Sequence, residues 1–329
     1  MKTVNYRRAP RILLVTGVAL SLAGCTDSNA WLWILNPNGP LADASVYYLI
    51  IQVLLLGVVI LPATVLVIWA FFRYRDGGTG SYDPRFNHSV LVEFIVWGIP
   101  LLVVGVMSYF TIQGAFAVGP YNPEAVNKVV AQTPSNQKPL KIDVIATDWQ
   151  WLFVYPQLDI AAANRLVVPA DRKVEMRLTS VGITNDFYVL KVINQIYVMP
   201  GMRTKHNFYL ERPGEYRGFS TEFSGPGFAW MNYKMKVVTP DDFKQWVAKA
   251  KASPQRMTWS HFKQYAEPTI NTGNIWTLYS HVDPNLFSQV IKQVRSGELA
   301  YRRPMRFSEE MDSPEFKKHS TGEPKRGNN

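Results

Sequence analysis

The sequence predicts a mixed membrane/β chain: a hairpin of two transmembrane helices, then a strand-rich sandwich, then a short helical region. Three observations predict it. Two apolar runs, 46–72 and 90–118, carry between them a single charge, Glu93, and ~20 apolar residues are enough to cross a bilayer. From Lys141 to Val237, short segments alternate apolar and polar residues with the period of a strand. After Thr239 the apolar positions fall instead at the spacing of amphipathic helices.

The chain has 329 residues and a formal charge of +10. Its Lys and Arg residues are scattered without a dense stripe, which argues against a nucleic-acid partner. Cys25 is the only cysteine, so the sequence excludes an intrachain disulfide and any Cys-pair metal site. Residues 1–24 read as an export signal: Lys2, Arg7, Arg8 and Arg11 precede the apolar stretch Ile12 to Leu22, which is too short to span a bilayer. Leu22-Ala23-Gly24-Cys25 resembles a bacterial lipobox, which implies cleavage before Cys25 and lipidation of its thiol. The alternative is an ordinary signal peptide with an incidental cysteine.

Residues 25–45 form an N-terminal segment on the outer side, and 46–118 the hairpin. The connection 73–89 carries Arg73, Arg75 and Arg85, whereas 26–45 and 119–127 contain no Lys or Arg. The positive-inside rule therefore places the short connection in the cytoplasm and both outer flanks in the periplasm of a bacterial inner membrane. An exported N-terminus requires the same topology. Glu93 sits near the end of the second run. It reads either as a snorkelling interfacial acid or as a proton-handling group.

The exported domain, 119–238, begins with alternation at Ile142, Val144 and Ala146 and continues into the aromatic run Trp149-Gln150-Trp151-Leu152-Phe153. Val174, Met176 and Leu178 alternate with Lys173, Glu175 and Arg177. Short strands separated by turn signals indicate a sandwich or Greek-key barrel. His206, His261, His281 and His319 have no second ligand at metal-binding spacing and read as surface or strand-edge residues. In the region 239–300, Thr239-Pro240-Asp241-Asp242 starts a helix, 258–266 forms a second, and Asp283-Pro284 starts a third that ends at Gly297. These helices cover either the sandwich or a partner subunit. The tail 301–329 reads as disordered.

The most informative segment is Pro213 to Met231, a strand, a tight loop and a second strand, with Ser224-Gly225-Pro226-Gly227 at the turn. It resembles the copper loop of subunit II of haem–copper oxidases through Pro213, Gly214, Tyr216, Gly218, Glu222, Gly225 and Met231. The family's two cysteine positions are Ser220 and Ser224 here, its loop histidine is Phe228, and its upstream histidine is Asn185. A dinuclear copper centre needs soft bridging thiolates, whereas serine hydroxyls are hard and stay protonated, and phenylalanine offers no donor. Frame kept and ligands lost is the pattern of subunit II of the ubiquinol oxidases of the cytochrome bo type.

That resemblance implies a cupredoxin-like β-sandwich and a proton-pumping, quinol-oxidising, oxygen-reducing complex. The catalytic haems and copper would lie in a partner subunit I, beside further small membrane subunits. Ubiquinol would be the substrate of the complex, and cytochrome c no partner. This chain would bind no cofactor and contribute no catalytic residue. Glu93 matches a glutamate at the mouth of a proton path in the family. Trp149 and Trp151 match aromatics that receive electrons in copper-bearing relatives. Without copper, their reading is structural. Met231 and Glu222 would survive as core and loop-bracing residues. A second reading from another class is a membrane-anchored lipoprotein that acts as an assembly factor or docking module. Two spans, one of them containing a glutamate, exceed what an anchor needs.

Overall fold

The computed structural model describes residues 35–81, 88–119, 138–269 and 275–299. The export signal, Cys25 and the tail after 300 lie outside the described residues. Helix α1 runs Pro40–Tyr74 and α2 runs Val90–Val118. At 1.5 Å per residue α1 is about 52 Å long, well beyond a hydrocarbon core of ~30 Å. It starts before the apolar run because Pro40 stands in the first helical turn, where its missing N–H costs nothing, and Asp43 follows in that turn. The expected boundary at 45–46 therefore falls inside a helix. The helices are antiparallel: the Tyr48 ring packs on Gly114, and Gln52 donates to Thr111 Oγ1 at 3.2 Å. Their remaining apolar side chains point outward.

The domain beyond is a sandwich of two sheets. Its strands are β1 (Leu140–Ala146), β2 (Trp151–Tyr155), β3 (Ile160–Ala163), β4 (Arg165–Pro169), β5 (Val174–Ser180), β6 (Asn185–Val189), β7 (Ile193–Val198), β8 (Thr204–Phe208), β9 (Gly214–Phe219), β10 (Asn232–Val238) and β11 (Thr277–Tyr279). The first sheet has the order β11-β3-β2-β1-β5-β8 and the second β4-β10-β9-β6-β7. The β1–β5 and β4–β10 pairs are parallel, and the other pairs are antiparallel. The aromatic run that begins at Trp149 folds back on β1 as a hairpin, closed by Thr147 N–H donating to Gln150 O at 3.0 Å.

Between the sheets lie Trp151, Phe153, Tyr155, Phe187, Phe208 and Tyr233, all essentially inaccessible. Phe187 and Tyr233 stack at 5.3 Å between centroids, and Trp151 meets both edge-on. The Tyr155 hydroxyl donates to Val167 O at 2.8 Å and accepts from Val167 N at 3.0 Å, which stitches one sheet to the other.

Helices α3 (Pro240–Lys251), α4 (Trp259–Tyr265) and α5 (Leu286–Arg295) cover the sandwich itself, which settles what their apolar faces pack against. Thr239 caps α3 by accepting from Asp242 N. Phe243 and Ala250 of α3 join the central core. Helices α4 and α5 lay Phe262, Leu286, Phe287 and Val290 on Ile145, Leu152, Val154 and Ala161, the outward side chains of the first sheet. Strands β1 to β3 are buried on both faces for that reason. Helix α5 starts two residues after Pro284, because Pro284-Asn285 form the preceding turn. Under α5, Arg177 grips Asp143 with two hydrogen bonds of 2.6 and 2.5 Å while lying 5.0 Å from the Phe287 ring centroid. Burial still raises the Asp143 pKa, against the pull of Arg177.

The hairpin is fastened to the sandwich just before α1. Asn38 N–H donates to Lys191 O at 2.8 Å, its side-chain amide donates to Arg212 O at 2.9 Å and to the Tyr216 hydroxyl, and Arg212 donates back to Pro37 O at 2.6 Å. One turn into α1, Ser45 exchanges hydrogen bonds with the Asn194 side chain.

Candidate functional site

Strands β6 and β9 lie side by side, with Tyr188 opposite Phe219, so the residue before β6's midpoint meets the chain leaving β9. Asn185 and Ser220 are thereby neighbours. Ser220 Oγ accepts from Asp186 N at 3.1 Å and lies 3.4 Å from Asn185 Oδ1 and 3.2 Å from Glu222 O, one of which takes its proton. The Asn185 amide donates to Ile183 O at 3.0 Å. Ser224 Oγ faces Met231 Sδ at 3.9 Å. Asn185, Ser220, Ser224 and Met231 are all buried.

The loop folds over Trp149. The indole Nε1–H donates to Ser224 O at 2.7 Å, and the ring lies against the backbone of Gly225 and Gly227. A Cβ on Gly227 would stand 2.2 Å from the ring, and Gly225 holds a φ of +105° that L side chains rarely adopt. Phe228 opens a single 3-10 turn, Phe228–Trp230, and pairs with the exposed Phe223 at 5.5 Å between centroids. Trp149 therefore braces the loop. Trp151 is a core residue that packs edge-on against Phe187 and Tyr233. Glu222 is exposed, and its carbonyl is the atom directed into the loop.

Asp186 was given no role by the sequence, since strand alternation with Phe187 turns it outward. It is nonetheless fully buried beneath the loop. Thr221 Oγ1 donates to its Oδ2. Burial, helped by the nearby Glu222 charge, pushes its pKa up. His206 meets its strand-edge reading but is not a surface residue. It lies on the edge strand β8 but is buried, and burial pulls its pKa down to about 4.

The structure thus brings Asn185, Ser220, Ser224, Met231 and Phe228 to one end of the sandwich. These residues do not fit a dinuclear copper centre. Two hydroxyls replace the bridging thiolates, an amide and a phenyl ring replace both imidazoles, and the polar atoms are spent on protein partners. Among the described residues no three His, Cys, Asp or Glu side chains gather as a metal site. Glu93 lies at the opposite end of the molecule, in the first turn of α2, with Oε1 2.6 Å from His88 Nδ1.

Residues 251–297 match the family described as COX Aromatic Rich Motif. That span holds α4 and α5, which roof the first sheet, and β11, an edge strand of that sheet. The cytochrome bo(3) ubiquinol oxidase subunit 2 of Pseudomonas putida is 33% identical over 292 residues, which cover 88% of this chain and 88% of that protein. The ubiquinol oxidase subunit 2 of Acetobacter aceti is 30% identical over 280 residues, covering 85% and 86%. Among solved structures, the periplasmic domain of cytochrome oxidase subunit II of Bradyrhizobium japonicum is 22% identical, covers 36% of this chain and 97% of its own, and has a TM-score of 0.34. With identity of this order over 85–88% of its length, the chain belongs to the ubiquinol oxidase subunit 2 family.

Proposed function

We propose that the chain is the non-catalytic subunit II of a quinol-oxidising, oxygen-reducing, proton-translocating terminal oxidase. The observation that carries this reading is the loop between β9 and β10. It keeps the turn and the glycines of a copper loop and is braced by Trp149, while its ligand positions hold Asn185, Ser220, Ser224 and Phe228, each hydrogen-bonded or packed against neighbouring protein groups. A loop without copper has no electron to relay from a soluble donor. Electrons then enter from a membrane quinol, and the haems and copper belong to a partner subunit I. The outward apolar sides of α1 and α2 supply a surface for lateral packing with that subunit.

Two further assignments belong to the same reading. Glu93, hydrogen-bonded to His88 near the cytoplasmic end of α2, serves at the entrance of a proton path. Replacing Glu93 by Gln is expected to slow quinol oxidation several-fold while leaving the haem content unchanged. Cys25 carries a lipid that adds to the anchoring by two spans, which intact-mass analysis of the mature chain would register. The central test is oxygen uptake by the complex purified through a tag on this chain. Rapid, cyanide-sensitive uptake with ubiquinol and none with reduced cytochrome c is expected. Uptake with reduced cytochrome c, or a purified chain without haem, would overturn the proposal.

A further inference from the structure

The two outer faces of the sandwich are treated differently. Helices α4 and α5 roof the first sheet, whereas the second sheet presents charged side chains outward. Arg165 on β4 stands opposite Lys234 on β10, and Lys234 stands opposite Arg217 on β9. Three cations thus lie in one row across three adjacent strands, about 4.8 Å apart. Lys236, two residues along β10, joins them. The one acid on these three strands is Glu215, already paired with Lys236. Like charges directly opposite one another destabilise a sheet, so this row is retained against a cost.

The row is also built rather than scattered. Arg165 stacks on Trp276 at 4.1 Å and Arg217 leans on Phe219 at 5.8 Å, so aromatic rings hold both guanidinium groups in place. Lys249 approaches the same Trp276 ring at 5.9 Å. Beside the row lies an open hollow of about 460 Å³ lined by Glu215, Tyr216, Arg217, Asn232, Tyr233 and Lys234. An anionic chain segment fits such a stripe.

The sequence contains one. Residues 308–315, Ser-Glu-Glu-Met-Asp-Ser-Pro-Glu, hold Glu309, Glu310, Asp312 and Glu315 with no Lys or Arg among them, in a chain whose net charge is +10. They lie outside the described residues. We propose that the basic row Arg165–Lys234–Arg217, with Lys236, is the docking surface for this acidic segment of the chain's own C-terminal tail. The reach suffices. Arg295 at the end of α5 donates to Gly201 O at 2.7 Å, beside the connection from β7 to β8. Strand β7 is the edge of the second sheet, and β9 and β4 lie two and four strands in from it, roughly 10 and 19 Å away. The sixteen residue steps from Leu299 to Glu315, the far end of the acidic run, span up to ~53 Å, enough also to pass the ~10 Å between the two sheets.

The test uses the intact complex. Zero-length carbodiimide coupling followed by peptide mass spectrometry is expected to link Lys234 or Lys236 to Glu309, Glu310, Asp312 or Glu315. High salt should abolish these links. In a variant with E309Q, E310Q, D312N and E315Q together, acetylation of Lys234 and Lys236 should accelerate several-fold. Coupling of these lysines to another subunit, or to nothing, overturns the proposal. So does acetylation that the variant leaves unchanged. Protection that survives the variant but disappears when the complex is stripped of anionic lipid would identify a headgroup as the occupant and overturn it equally.

Discussion

His206 shows how burial alone turns an ordinary side chain into a determinant of stability. Its Nε2 lies 3.2 Å from Asn194 O and its Nδ1 3.3 Å from Asn207 O, and the Asn194 side chain holds Ser45 of α1. The folded chain binds a proton here less readily than the unfolded chain, since the pKa falls from 6.5 to about 4. Stability from this residue is therefore complete above the unfolded value and declines as the pH drops towards the folded one. At about 1.4 kcal/mol per pH unit, the decline is on the order of 3 kcal/mol. Thermal unfolding of the complex between about pH 7 and about pH 4 should show this slope, and His206→Gln should flatten it. At the loop, Gly227→Ala drives a methyl group into Trp149. It is expected to cost about 1–3 kcal/mol, read as a lowered melting temperature of the complex. The substituted ligand positions were legible because the frame Pro213, Gly214, Gly218 and Gly225 fixes their register. Asp186 was not, because alternation reports only which side of a sheet a residue faces. Whether a loop then folds over that side depends on Thr221 and Glu222 in the loop after β9.

At the scale of elements, strong local signals mapped directly onto structure. The cap at Thr239 starts α3, and the alternation of Val174, Met176 and Leu178 appears as β5 burial. The hairpin between β1 and β2 was less visible, because its turn at Thr147–Gln150 contains neither Gly nor Pro. The destination of the C-terminal helices was not legible at all. An amphipathic face states that something covers it, and only the residues opposite state what. Those residues are Ile145, Leu152 and Val154, which sit on the outward face of a sheet whose inward face is also apolar. Phe262 lies at the centre of that contact, fully buried against Trp259 and Tyr265. Phe262→Ala should cost about 3–5 kcal/mol and loosen the roof. Limited proteolysis is expected to cut within 251–297 in the variant at protease levels that spare the parent chain.

For the whole molecule, membrane hairpin and sandwich act as one body through a few residues ahead of α1. Gly39 is the tightest of them: its φ is +101°, and a Cβ there would stand 2.4 Å from Tyr209 O. Gly39→Ala is expected to reduce assembled complex in the membrane rather than to alter the chemistry of what assembles, so haem-normalised quinol oxidation should stay constant as the yield falls. A copper-loop frame persists here without the ligands of copper chemistry. The most direct measurement is the near-infrared and paramagnetic-resonance spectrum of the purified complex after incubation with copper, alongside its copper-to-haem ratio. No mixed-valence dinuclear signal is expected, and no copper taken up by this chain. A thiolate-free loop that nonetheless produced such a signal, lost on replacing Met231 or Asn185, would contradict it.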